Sequence, residues 1–180
     1  MEEVEKALTP KEIADEMEMW YSVLDARKKS DGLAHYTPNK HQLRAHQSNA
    51  RMVLVCGANR IGKSTLGAVE LATHLTRKYP HWWSMKRRFY RPIKAVVVCD
   101  AMQKIEKVIE PKIMEFLPKG YVKDLQRITG GYLNRLETKD GSTVDFLTSE
   151  QDQMRFEGAD WDFYWGDEPQ RKKQFDGIMR

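Results

Sequence analysis

Met52-Val53-Leu54-Val55-Cys56, followed by Gly57-Ala58-Asn59-Arg60-Ile61-Gly62-Lys63-Ser64, is the stretch on which the fold turns. The first five residues are an apolar run of strand length and predict a buried parallel strand. The next eight match GxxxxGK[ST]. From Lys63 to about Lys78, Leu66, Val69, Ala72 or Thr73, and Leu75 or Thr76 then follow helical spacing, with Pro80 as the stop. In a chain of this length the motif arises by chance at about the one per cent level, and the strand-loop-helix context lowers that further. Glycines let a backbone wrap around phosphate oxygens, and a helix N-terminus offers them unpaired N–H groups and partial positive charge. Gly57, Ala58, Asn59, Arg60, Ile61, Gly62, Lys63, Ser64 and the following Thr65 are therefore the expected nucleotide-binding set. Lys63 would reach the β- and γ-phosphates and Ser64 would hold Mg²⁺. The plainer alternative is a glycine turn with a solvated Lys63.

Outward from this loop, Ala95 to Cys99 predicts a second buried strand ending at Asp100, which would complete a βαβ unit. Ala101 to Phe116 reads as a helix that Pro111 kinks or divides. Tyr132 to Glu137 and Thr143 to Thr148 flank Lys139-Asp140-Gly141-Ser142, a β-hairpin pattern. Upstream, Thr9-Pro10-Lys11-Glu12 has the form of a capping box. Ile13, Met17, Trp20 or Tyr21, and Leu24 then give one apolar face, which predicts a packing helix ending near Ser30-Asp31-Gly32. After a loop through Pro38, a short helical stretch carries Gln42.

A phosphate loop does not hydrolyse nucleotide alone; an acid is needed at the tip of a neighbouring strand. Trp161 to Gly166 is an aromatic-rich apolar run ending in Asp167-Glu168-Pro169. Asp167 is placed to bind Mg²⁺ through water, and Glu168 to polarise the attacking water as general base. A surface turn is the alternative for this acidic pair. Asp160 and Asp162 precede Phe163-Tyr164-Trp165-Gly166 and should lie at the opposite end of that strand.

The 180 residues suit one domain, and 41% hydrophobic with 31% charged residues exclude fibrous and membrane-embedded classes. No apolar run approaches the roughly 20 residues of a membrane span. The acidic start is unlike a secretory signal, so a cytosolic setting is expected. Cys56 and Cys99 each end an apolar run with no metal-type spacing and read as buried thiols, and the five histidines show no zinc pattern. The net charge of +4 hides segregation. Arg77, Lys78, Lys86, Arg87, Arg88, Arg91 and Lys94 form an acid-free basic segment, whereas Asp140 to Glu168 is strongly acidic. The basic segment could touch DNA phosphates or be a solvated face, and its aromatics Trp82, Trp83, Phe89 and Tyr90 suit a core or sheet edge better than base stacking.

Pro38-Asn39-Lys40-His41-Gln42, Ser48-Asn49-Ala50-Arg51 and the loop from Gly57 to Ser64 resemble the opening of the ATPase domain of tailed-phage terminase large subunits. The resemblance continues through Glu70 and His74, Tyr79-Pro80-His81-Trp82-Trp83, Arg88 to Pro92 and Ala95 to Cys99. It extends to Ser149-Glu150-Gln151, Phe156-Glu157-Gly158 and Trp165-Gly166-Asp167-Glu168-Pro169, and covers about residues 36 to 170.

The resemblance implies an ATP-driven motor that moves double-stranded viral DNA into a procapsid. It implies ATP and Mg²⁺ as cofactors, the portal protein and small terminase subunit as partners, a homo-oligomeric ring, and a place in the host cytoplasm, transiently at the procapsid portal. The implied fold is an α/β P-loop NTPase of the Asp-Glu, additional-strand type. Its mostly parallel central sheet would be flanked by helices, with a helical extension over 1–35, the ATPase domain over 36–180 and a β-hairpin. By the same analogy Gln42 recognises adenine, although an ordinary helix glutamine is the plainer reading. Arg60 senses the γ-phosphate or simply pairs with an acid such as Glu70. Family members continue with a coupling motif, on a strand between the loop strand and the Asp-Glu strand, and then a nuclease domain. The chain is therefore expected to be a fragment or a naturally short subunit, with a gap in its sheet and no nuclease site. Two other readings stay open: a helicase-like DNA-dependent ATPase, and a non-hydrolysing nucleotide-binding assembly module.

Overall fold

Five strands share one sheet: β1 (Lys94–Cys99), β2 (Val122–Arg127), β3 (Leu133–Thr138), β4 (Thr143–Thr148) and β5 (Phe163–Gly166), in the order β2-β3-β4-β1-β5. This arrangement comes from a computed structural model, which describes residues 9–151 and 160–168. Phe156-Glu157-Gly158 and Pro169, named above for their resemblance, lie outside the described residues. β1 is the expected second strand, and its residues from Ala95 onward are fully buried. Their alternation splits the core: Ala95, Val97 and Cys99 join Phe146, Trp165 and the helices in one cluster, while Val96 and Val98 join Leu147 in another.

The sheet is mixed, not mostly parallel. β1 pairs in parallel with β4 and β5, but β2–β3 and β3–β4 are antiparallel. The difference arises because the expected hairpin, β3–β4, is not an appendage. Its second strand docks on β1, and β3 and β2 extend the sheet by antiparallel steps.

Five helical segments are named here in chain order: α1 (Pro10–Ser30), α2 (Lys40–His46), α3 (Lys63–Thr76), α4 (Met102–Lys104) and α5 (Glu110–Phe116). A π-helical stretch, Ile105–Ile109, joins α4 to α5 directly before Pro111. Proline has no N–H to donate and crowds the carbonyl four residues back, so the expected division of this helix takes the form of a widened turn. Among the described residues, α3 and the 102–116 segment supply helix side chains to the larger core cluster and none reach the smaller one.

Two further expectations are corrected. Met52–Cys56 is not a strand: the segment has no sheet pairing, Leu54 is 85% exposed, and Cys56 is exposed rather than buried. The βαβ unit therefore lacks its first strand, and β5 stands at the sheet edge, paired on one side only among the described residues. A strand needs a partner backbone, and the local apolar pattern carries no information about whether one is present. α1 has the expected capping box, in which the Glu12 N–H donates to Thr9 Oγ1 and the Thr9 N–H to Glu12 Oε2, yet none of its residues is buried. Ile13, Met17, Trp20, Tyr21 and Leu24 are all exposed. At its C-terminal end the Lys119 N–H donates to the Ser30 carbonyl, and just beyond it Gly32 lies against the backbone of Glu115. No described helix is long and apolar enough to cross a membrane.

Candidate functional site

Because β1, β4 and β5 run parallel, their C-terminal ends lie along one edge of the sheet, the edge where α/β proteins gather ligand-binding groups. Asp100 follows β1 and Asp167-Glu168 follow β5. The Asp167 N–H donates to the Val98 carbonyl at 3.0 Å, which fixes the start of the acidic pair beside β1. Asp162 lies at the opposite end of β5, as expected, bound by Arg91 and by the Lys94 N–H.

α3 brings the loop to this edge. Gly67 faces the Trp165 indole so closely that a Cβ at this position would lie 2.2 Å from Trp165 Cε2. This close approach sets the helix N-terminus beside the tip of β5. There the Ser64 hydroxyl donates to Asp167 Oδ1 at 2.9 Å, joining the glycine-loop motif to the acidic pair across 103 positions of sequence. Asp167 Oδ1 and Ser64 Oγ are hard oxygen donors, a set that suits Mg²⁺.

Gly62 caps α3 with φ of 87°, and Arg60 has φ of 65°. The Lys63 ammonium donates to the carbonyls of Gly57 and Ala58 at 2.7 and 2.8 Å, closing the loop over itself. Ile61 lies against Gly57. Asn59 and Arg60 form an exposed turn, and Thr65 is half-buried in the first turn of α3. Arg60 has no hydrogen bond or ion pair among the described residues, and the alternative pairing with Glu70 does not occur.

Gln42 reaches the loop from α2. Its Nε2 donates to the Gly62 carbonyl at 3.2 Å, and its Oε1 accepts from the Asn39 N–H at 2.9 Å within a capping box. At 8% exposed, the amide has one donor and one acceptor engaged by protein and one of each left. A Cβ on residue 62 would come within 2.7 Å of Gln42 Nε2, so Gly62 serves both the turn and this approach.

Lys104, at the end of α4, belongs to the site and is absent from the sequence reading. Its ammonium lies 2.8 Å from Asp167 Oδ2, 2.5 Å from Glu168 Oε1 and 3.8 Å from Asp100 Oδ1. Partial burial opposes its charge, but the hydrogen bonds it donates to Asp167 and Glu168 outweigh that and raise its pKa. The Asp167 carboxylate is 6% exposed and that of Glu168 44%. The available signal was a lysine four residues past Asp100, the acid that ends the expected strand from Ala95 to Cys99.

Behind the loop, Glu70 of α3 collects the His46 Nδ1 at 2.7 Å, the His74 Nε2 at 3.6 Å and the Arg87 guanidinium. Burial alone would push its carboxyl up; hydrogen bonds from His46 and His74 and the Arg87 charge overcome that and hold it at about 2. The basic segment is largely consumed in this way. Arg77, Lys78, Arg87 and Arg91 pair with Asp140, Asp31, Glu70 and Asp162, and Arg88 donates to the carbonyls of Pro80 and Trp83. Charges segregated in sequence are thus partly recombined in space, while Lys86 and Lys94 of the same segment stay exposed. Trp83 is buried against the rings of His46 and His74, as expected of a core aromatic, whereas Tyr90 is exposed.

Residues 54–177 match the family model described as terminase large subunit, T4likevirus-type, N-terminal. No curated protein and no solved structure matches. With more than half of its length covered, the chain belongs to the T4likevirus-type terminase large subunit family, in the N-terminal part.

Proposed function

We propose that this chain binds ATP with Mg²⁺ at the Gly57–Ser64 loop and hydrolyses it to drive double-stranded viral DNA into a procapsid. Viral DNA packaging, with DNA, portal and small subunit as partners, is what membership of the family implies. The finer reading, a P-loop ATPase of the Asp-Glu type, is carried by one observation: Ser64 and Asp167 meet at 2.9 Å. On this reading Ser64 and, through water, Asp167 hold Mg²⁺. Mg²⁺ there supplies positive charge to the phosphate oxygens. Lys63 exchanges the Gly57 and Ala58 carbonyls for the β- and γ-phosphates, and the N-terminus of α3, capped by Gly62 without a side-chain hydrogen bond, offers its N–H groups to the same anion. Glu168, the more exposed acid, takes the proton of the attacking water, Arg60 reaches the γ-phosphate from its exposed turn, and Gln42 offers its remaining donor and acceptor to adenine. A ring of copies working at the portal in the host cytoplasm completes the proposal.

Lys63→Ala is expected to abolish binding of a fluorescent ATP analogue. Glu168→Gln should bind it as the wild type does while phosphate release falls by about 10²-fold or more. Undiminished phosphate release in the Glu168→Gln chain would remove its assignment as base. A second reading, a nucleotide-binding assembly module without turnover, draws on Met52–Cys56 lying outside the sheet and on Lys63 bonding its own loop. Nucleotide binding without any phosphate release, with or without double-stranded DNA, would favour it. DNA-stimulated strand separation would favour a helicase-like enzyme instead.

A further inference from the structure

Three carboxylates meet at the sheet edge with one ammonium among them. Lys104 Nζ contacts Asp167 Oδ2 at 2.8 Å and Glu168 Oε1 at 2.5 Å, with Asp100 Oδ1 a little further away at 3.8 Å. Asp167 is divided between two partners: one oxygen accepts from Ser64 and the other from Lys104. A divalent cation arriving between Ser64 and Asp167 would find a positive charge on the far oxygen of its own carboxylate. Two cations that close repel strongly even through protein of effective dielectric about 20. We infer that Lys104 is the internal counter-cation of this site, holding Asp167 and Glu168 together in the absence of metal and withdrawing from Asp167 when the metal binds.

The inference rests on the reading of Ser64 and Asp167 as metal ligands given above, and it adds a competitor to them. Lys104 can make the move. It has four flexible methylenes and is 23% exposed at its side chain, and the half-exposed Asp100 waits one helical turn before it as an alternative partner. Withdrawal toward Asp100 would also break the ammonium's contact with Glu168. Lys104 is accordingly a positioning residue that opposes metal binding and favours the metal-free fold. Its replacement should push those two properties in opposite directions, a pattern that simple loss of packing does not produce.

The test uses the full chain and Mn²⁺ alone, with free Mn²⁺ followed by electron paramagnetic resonance and metal-free thermal melting read in parallel. Lys104→Met is expected to bind Mn²⁺ about tenfold more tightly than the wild type, while its metal-free melting temperature falls. Lys104→Arg keeps the charge and should stay close to the wild type. Lys104→Gln, of similar length, gives the same readout if the Met variant does not fold. Asp167→Asn should weaken binding markedly. Unchanged or weaker Mn²⁺ binding in the uncharged Lys104 variants, with binding still lost in Asp167→Asn, overturns the counter-cation and leaves the metal ligands standing. Wild-type binding in Asp167→Asn overturns both.

Discussion

Gly67 decides how closely α3 approaches the strand that ends at Asp167. The indole of Trp165 fills the space a side chain would occupy, with atoms 2.2, 2.4 and 2.6 Å from an added Cβ. Alanine favours a helix interior over glycine by about 1 kcal/mol, whereas forcing a methyl into a packed contact costs about 1–3 kcal/mol. Here the obstacle is a buried ring between α3 and β5, so the second effect wins. Gly67→Ala is expected to destabilise the chain by about 1–2 kcal/mol, read as a lower melting temperature. Because Ser64 and Asp167 sit on the two elements being pushed apart, nucleotide affinity should fall as well. A melting temperature at or above that of the wild type would show that the α3–β5 contact yields to a methyl group. The GxxxxGK[ST] letters and Asp167-Glu168 stood out in the sequence because each matches a local pattern of its own, and the structure brings Ser64 and Asp167 together. Gly67 and Lys104 were not, because their roles consist in what stands opposite them: Trp165 lies 98 positions away in sequence, and Asp167 63.

At the scale of elements, Glu70 fastens α2 and the basic segment to α3. His46 comes from α2, Arg87 from the turn Met85–Arg87, and His74 from the next turn of α3 itself. Helix periodicity predicted α3 but gave an acid on its inward face no partner, since partners at 17 and 24 positions' distance leave no local trace. β2 escaped for a related reason: its burial pattern does not alternate, and two register shifts interrupt its pairing with β3. The Gly130-Gly131 turn, with φ of 93° and 82°, was its best local signal. The Glu70 cluster also sets a pH dependence. The folded carboxyl titrates at about 2 and the unfolded one near 4.5, so the unfolded state takes up a proton first as pH falls. The resulting stabilisation is complete above pH 4.5 and drains away between 4.5 and 2. Burial, the largest influence on His74, lowers its pKa below the usual 6.5, so its contribution is full above 6.5 and declines as pH drops below that value. Melting temperature should therefore fall in two stages on acidification. Glu70→Gln should be less stable at pH 7 by about 3–5 kcal/mol, because it strands the Arg87 charge, and should lose the lower stage. A lower stage of the same size in that variant would rule Glu70 out as its source.

For the whole molecule, the open question is where Met52–Cys56 belongs. The run is as apolar as β1, but β1 is covered on both faces and this segment is exposed from Met52 to Val55. Burying a Val or Leu side chain is worth about 1.5–3 kcal/mol, so this segment leaves a sizeable stabilisation unclaimed. α1 presents a second unclaimed apolar face, so amphipathic spacing identified the helix correctly without saying whether anything covers it. The cysteines distinguish the arrangements directly. Cys56 is exposed at the end of the run, whereas Cys99 closes β1, and burial pushes its thiol up to about 12. Iodoacetamide should therefore alkylate Cys56 in the native chain and reach Cys99 only after denaturation, as peptide mapping by mass spectrometry would show. If the segment were instead paired in the sheet, both thiols would resist until unfolding. Protection of Cys56 that develops only with ATP and Mg²⁺ would place the nucleotide against the loop that begins at Gly57. Protection in the chain alone would mean that Met52–Cys56 finds a partner backbone in solution, restoring the strand that the apolar pattern predicts.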